Sequence, residues 1–172
     1  MIEAVIFDLD GTLINLPVDY EKLIEKIERI TKTDYVGPLT VAVSKLDEKT
    51  KKKVFKVLDQ AELEALAEMT INDEGLAIYE EFREKPKALV TMQGKAVVKA
   101  ALKRLKLSFN LVVTRENSLD RTEQLKHATQ TLRIPAEKTL FIGNTRGDLQ
   151  AARKAECQFR RVGTNELAAP NP

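Results

Sequence analysis

Five short apolar runs rich in β-branched residues punctuate the chain, at residues 4–7, 88–91, 111–114, 139–142 and 159–162. Runs this short and continuous suit strands buried on both faces, as in a parallel sheet, better than half-exposed strands that would alternate. Stretches of helical period separate the last four runs, at 95–106, 122–132 and 149–155. The alternation predicts βαβ units and an α/β fold with a doubly wound, mostly parallel, Rossmann-like sheet. Right-handed crossovers then bring the loops after the strands to one edge, where such sheets bind ligands.

One interval breaks the rhythm. Between the first run and Ala88 no strand-like run occurs, and two amphipathic stretches, 19–30 and 47–69, stand there instead. Asp47 is a fitting N-cap, and Val54, Val57, Leu58, Ala61, Ala65 and Met69 share one face of the second stretch. Gly37-Pro38 marks the break between the two. The pattern predicts a core of residues 1–15 and 81–172 interrupted by an all-helical insertion at 16–80, with Glu84-Lys85-Pro86-Lys87 as a polar linker back to the sheet.

A chain of 172 residues buries enough surface to need neither disulfides nor a structural metal. Its single cysteine, Cys157, has no internal partner, which suits a reducing cytosol and reads as a small buried hydrophobe. There is no signal peptide and no apolar run of membrane-spanning length, so a cytoplasmic protein without a membrane partner is expected. A net charge of +2 from 28 basic and 26 acidic residues argues against a nucleic-acid partner. The basic run at residues 49–53 reads as the solvated start of a helix rather than a recognition patch. Oligomeric state is not legible.

The chemistry concentrates in Phe7-Asp8-Leu9-Asp10-Gly11-Thr12-Leu13. Two acids at the end of a buried strand are costly unless a cation sits between them, and an oxygen-rich pair suits Mg²⁺. Gly11 permits a sharp turn there. Taken alone, the same residues also describe a turn with acidic caps.

This stretch resembles the signature of the haloacid dehalogenase superfamily, in the branch with a small helical cap inserted after the first motif. The resemblance implies Asp8 as the nucleophile, forming an aspartyl-phosphate, and Asp10 as acid/base whose carbonyl also ligates Mg²⁺. It implies a phosphate cradle from the Thr91 hydroxyl with the Met92 and Gln93 amides at the start of the next helix. In the fourth motif Gly143 and Asp148 stand as expected, but Asn144 replaces an acid; Asp8, Asp10, Asn144 and Asp148 become the expected metal set. Asn144 lacks the charge that helps strip water from Mg²⁺, so weaker metal binding is expected. Glu156 stands where a glycine is usual.

The third-motif lysine is missing, since Leu119 falls at its place. Arg121 is the first candidate to supply that cation, followed by Lys126 and Lys95. His127, the only histidine, reads as an exposed helix residue. Asp19, Tyr20 and Tyr35 are candidates to face the substrate.

The function expected is hydrolysis of a small phosphorylated metabolite. A phosphomutase is the nearer alternative, and a dehalogenase is disfavoured because family members acting on carbon–halogen bonds lack the second acid. A different class, a weakened or inactive phosphate- or partner-binding protein, follows if Asn144 and the missing lysine mark decay. A receiver domain fits less well, since receivers lack a helical insertion after the first strand.

Overall fold

In the computed structural model, which describes residues 1–35 and 37–163, strands form at the five expected places, β1 (Ala4–Phe7), β4 (Lys87–Val90), β5 (Leu111–Val113), β6 (Thr139–Gly143) and β7 (Gln158–Arg161), but the edge strands β5 and β7 are only partly buried and β7 is mostly polar. They pair in parallel in the order β5-β4-β1-β6-β7. All four residues of β1 are fully buried, as a central strand covered on both faces must be. Val5 and Phe7 face one apolar cluster and Ile6 the other, the alternation that a strand's two-residue period dictates. Two helices, α4 (Asp73–Glu81) and α5 (Lys95–Leu105), supply Ile78, Tyr79, Val97, Val98 and Ala101 to the first cluster. Two others, α6 (Arg121–Leu132) and α7 (Arg146–Lys154), supply Leu125, Ala128, Ala151 and Ala152 to the second. The chain runs from β1 outward to β4 and β5, then crosses to β6 on β1's other side. The loops following β1 and its neighbours therefore part at the sheet's carboxyl edge and leave a crevice above β1.

The helical stretch after β1 contains α1 (Tyr20–Thr31), α2 (Leu39–Ser44) and α3 (Glu48–Ala65), followed by a 3₁₀ turn at Leu66–Glu68. Asp19 and Asp47 cap α1 and α3, the latter accepting from the Lys49 and Thr50 amides. Leu23, Ile27, Val43, Val54 and Leu58 form a separate apolar cluster. The basic run at 49–53 opens α3, mostly exposed.

Several expectations shift. Two short strands lie where no strand was expected, β2 (Ile14–Asn15) and β3 (Thr70–Ile71), paired antiparallel with Ile14 opposite Ile71 and Asn15 opposite Thr70. At two residues each they are too short to leave an alternating pattern. The expected insertion at 16–80 includes α4, yet Ile78 and Tyr79 pack with Phe7 and Leu89 against the sheet. Tyr79 lies 5.8 Å from the Phe7 ring and 5.5 Å from that of Phe109. Lys87 is a buried strand residue rather than linker; its Nζ donates to the carbonyls of Arg83 and Lys85 over the Tyr79 ring. Among the described residues no helix is long and apolar enough to cross a membrane.

Candidate active site

Asp8 follows the last residue of β1, and its amide donates to Ile142 of β6, so the neighbouring strand fixes its backbone. Its side chain is 6% exposed. Burial pushes its pKa from 3.8 up to about 7; Arg121 opposes the rise, while Asp148 and Asp10 add to it. Asp10 is also raised, chiefly by burial, although its Oδ1 accepts from the Leu16 amide at 2.8 Å. Gly11, at φ +79°, turns the chain under these acids. A Cβ at Gly11 would come within 2.1 Å of the Asn144 side-chain nitrogen, so the Asn144 carboxamide lies directly against this turn.

Arg121 is the cation that the fold delivers. It opens α6 behind the Asp120 N-cap, and one Nη donates to Asp8 Oδ1 at 2.8 Å. The other Nη donates to the Val90 carbonyl at 2.7 Å and Gln124 Oε1 at 3.2 Å, while Nε lies 3.4 Å from Asp148 Oδ1. A planar fork with several partners suits this bridging position better than a lysine's single ammonium. Lys126 is instead exposed and paired with Glu123 at 3.1 Å, and Lys95 is exposed on α5. Leu119 packs against the helical cluster. His127 is exposed on α6. Cys157 is buried, and burial pushes its thiol up to about 11.

Thr91, fully buried, follows β4, and its hydroxyl bonds the Gln93 carboxamide. The Gln93 amide donates to the same hydroxyl at 3.2 Å. Helix α5 begins at Lys95 with Gly94 as its N-cap, so Met92 and Gln93, expected at the helix start, lie instead in the loop before it. Gln124, fully buried, binds the carbonyls of Thr91 and Ser118 at 2.9 Å each, which ties α6 to this loop.

Asp148 is the N3 residue of α7. Its Oδ2 accepts from the Asn144 and Thr145 amides and from the Thr145 hydroxyl at 2.8 Å, closing a capping box. Among the described residues Asn144 Oδ1 is buried with no hydrogen-bond partner, as is Thr12 Oγ1. Among the described residues no cluster of three or more His, Cys, Asp or Glu side chains could by itself hold a metal. The donors present nevertheless suit Mg²⁺, which needs only one or two carboxylates and takes its other oxygens from water and phosphate. A buried Asn144 amide oxygen packed against the Gly11 turn, together with the carboxylates of Asp8 and Asp10 that burial disfavours, is such a donor set.

Of the candidates in the helical stretch, Asp19 caps α1 and Tyr35 joins the helical cluster. Tyr20 is half-buried, its hydroxyl pKa raised by burial and then by the nearby charges of Asp10 and Glu62. Sequence reading missed three residues, Asp59, Glu62 and Arg115. Arg115, buried in the loop after β5, binds Glu62 and Asp59 of α3 across more than fifty residues of chain, a separation that carries no local signal.

A parallel five-stranded sheet flanked by helices, with acids at the end of its central strand and a bridging arginine, defines an α/β Rossmann-like class of protein. The chain belongs to the haloacid dehalogenase-like hydrolase family, which it matches over residues 5–162. No significant match is found among curated proteins. Solved structures share the fold. A haloacid dehalogenase-like family hydrolase from Streptococcus pneumoniae superposes with a TM-score of 0.67 at 18% identity, covering 92% of this chain and 83% of that one. A predicted phosphatase from Clostridium acetobutylicum gives the same values. CbbY from Rhodobacter sphaeroides, solved in complex with phosphate, gives 0.68 at 15% identity, covering 92% and 85%.

Proposed function

We propose that the chain is a Mg²⁺-dependent phosphohydrolase acting on a small phosphorylated metabolite. The observation that carries this reading is the buried Asp8 carboxylate at the end of β1, 2.8 Å from the Arg121 guanidinium. An Asp8 oxygen attacks phosphorus, the ester P–O bond breaks, and the departing oxygen takes a proton from Asp10. Asp10's raised pKa suits a group that holds a proton before the first step. Asp10 then removes a proton from water, whose oxygen attacks the aspartyl-phosphate, releasing inorganic phosphate and the Asp8 carboxylate. Arg121 steadies the phosphoryl oxygens, as does the Thr91 loop with Met92 and Gln93. Asp8, Asn144 Oδ1 and the Asp10 carbonyl would hold Mg²⁺, and Asp148 supports them by fixing the Asn144–Thr145 turn. Bound there, the ion would neutralise charge on Asp8 and phosphate. The helical stretch acts as a cap excluding water, and Tyr20, near enough to feel the charge of Asp10, is a candidate to meet substrate.

The test is turnover of p-nitrophenyl phosphate, then of a panel of phosphorylated metabolites, with and without Mg²⁺. The expected result is metal-dependent hydrolysis that falls at least a thousandfold in Asp8→Asn, roughly the scale of losing a nucleophile. Asn144 in place of an acid favours a second reading, a phosphate-binding protein without turnover. That reading wins if no phosphoester is hydrolysed and calorimetry detects no Mg²⁺ binding.

A further inference from the structure

The loop that follows β4 is held from two sides. The Arg115 amide donates to the Gln93 carbonyl at 3.3 Å, and an Arg115 Nη donates to the Met92 carbonyl at 3.2 Å. From the helical side, Glu62 of α3 accepts the Gly94 amide on Oε2 at 3.0 Å. The two holders grip each other. Arg115 donates to Glu62 Oε1 at 2.5 Å and to Oε2 at 3.0 Å, a two-pronged pair, and also to Asp59. The Arg115 side chain is 1% exposed and that of Glu62 is 6%.

Gly94 admits this approach only because it has no side chain. A Cβ there would lie 2.1 Å from Asp59 Oδ1 and 2.5 Å from an Arg115 Nη. Phe55 of α3 also lies under the Arg115 guanidinium at 5.5 Å, and Leu119 from the same loop as Arg115 packs into the helical cluster. The consequence is physical. If α3 lifts away, the Gly94 amide loses its acceptor and a buried guanidinium loses both carboxylates, which strongly disfavours the old loop geometry.

We propose that Glu62 and Arg115 are positioning residues that make the shape of the Thr91–Gly94 loop conditional on the docking of α3. Seating the helical cap and setting the phosphate loop are then one event. The functional half of this inference rests on reading Thr91–Gln93 as the phosphate site; the structural half does not.

The experiment is amide hydrogen exchange read residue by residue, in the full chain, for wild type, Glu62→Ala and Glu62→Gln. Arg104→Ala serves as control, because Arg104 also ties the core to the helical stretch, at the Leu66 carbonyl, without touching the loop. Glu62→Ala is expected to speed exchange of the Gln93 and Gly94 amides at least tenfold while β1 and β6 stay protected. Glu62→Gln keeps an oxygen for Gly94 and should restore part of the protection, and Arg104→Ala should leave the loop as in wild type. If the alanine variant does not fold, the wild-type-to-Gln comparison decides, with a threefold or greater rise at Gly94 expected. Loop exchange that is unchanged, or that rises only in step with the strands, overturns the proposal. Inorganic phosphate titrated into the same variants tests the functional half, with at least fivefold weaker binding expected for Glu62→Ala. A wild type that binds no phosphate would sink the phosphatase reading while the exchange result still decides the coupling.

Discussion

The side chains at the end of β1 carry opposite demands, and Asp8 shows the cost. Its proton leaves near pH 3.8 in the unfolded chain but near 7 in the folded one. Between those values the folded state holds a proton that the unfolded state has released, so stability falls as pH rises through the window and levels off above about 7. The full effect is roughly 4 kcal/mol as an upper figure. In a chelating buffer, urea midpoints between pH 4 and 8 should show this decline, and Asp8→Asn should flatten most of it; a parallel decline in the variant would assign the effect elsewhere. Asn144 gives a complementary prediction. Asn144→Asp adds a carboxylate beside the Gly11 turn, and calorimetry should find Mg²⁺ bound at least tenfold more tightly, by about 1.4 kcal/mol or more. Equal affinity would mean that this oxygen does not face the ion. Arg121 was visible in the sequence as a cation near the right place, but its fourfold set of partners was not, because these come from β4, α6, Asp8 and Asp148 together.

Among the elements, the inner strands β1, β4 and β6 were legible because burial on both faces demands nearly unbroken apolar runs, and the N-caps Asp19 and Asp47 because their chemistry is local. What escaped was either too short or too distant: β2 and β3 have two residues each, and the Glu62–Arg115 pair spans 53 positions. The packing of α4 on the sheet was not legible either, because α4, amphipathic like its predecessors, gives no hint of which apolar surface it will meet. Helix ends offer a further prediction. Lys32, Lys106 and Arg133 are left-handed C-caps of α1, α5 and α6, and Glu156, just past α7, shares their positive φ, where glycine would be unstrained. Lys106→Gly, Arg133→Gly and Glu156→Gly should each stabilise the fold by about 0.5 kcal/mol, relief of left-handed strain outweighing glycine's extra freedom when unfolded. Thermal midpoints that fall in all three variants would refute this.

At the scale of the whole molecule, the helical stretch has its own apolar cluster and the sheet has two, and identifiable groups stitch them together. Arg115 with Asp59 and Glu62, Arg104 with Leu66, and Leu119 in the helical cluster are such groups. The chain leaves for that stretch at Asn15 and comes back at Thr70, its direct partner across the β2–β3 pair. Opposed residues in such a ladder sit about 5 Å apart, a gap that a hairpin turn spans. Replacing residues 17–68 by a three-residue Gly-Asn-Gly turn, with Arg115→Met to remove the stranded cation, should therefore leave a miniature that still melts cooperatively with αβ circular dichroism. A molten product would mean that the excised part props up the remainder. If the miniature folds, the doorway at Asn15 and Thr70 is a natural graft point, through which one sheet platform can be refitted with unrelated lids without disturbing the strand that leads to Asp8.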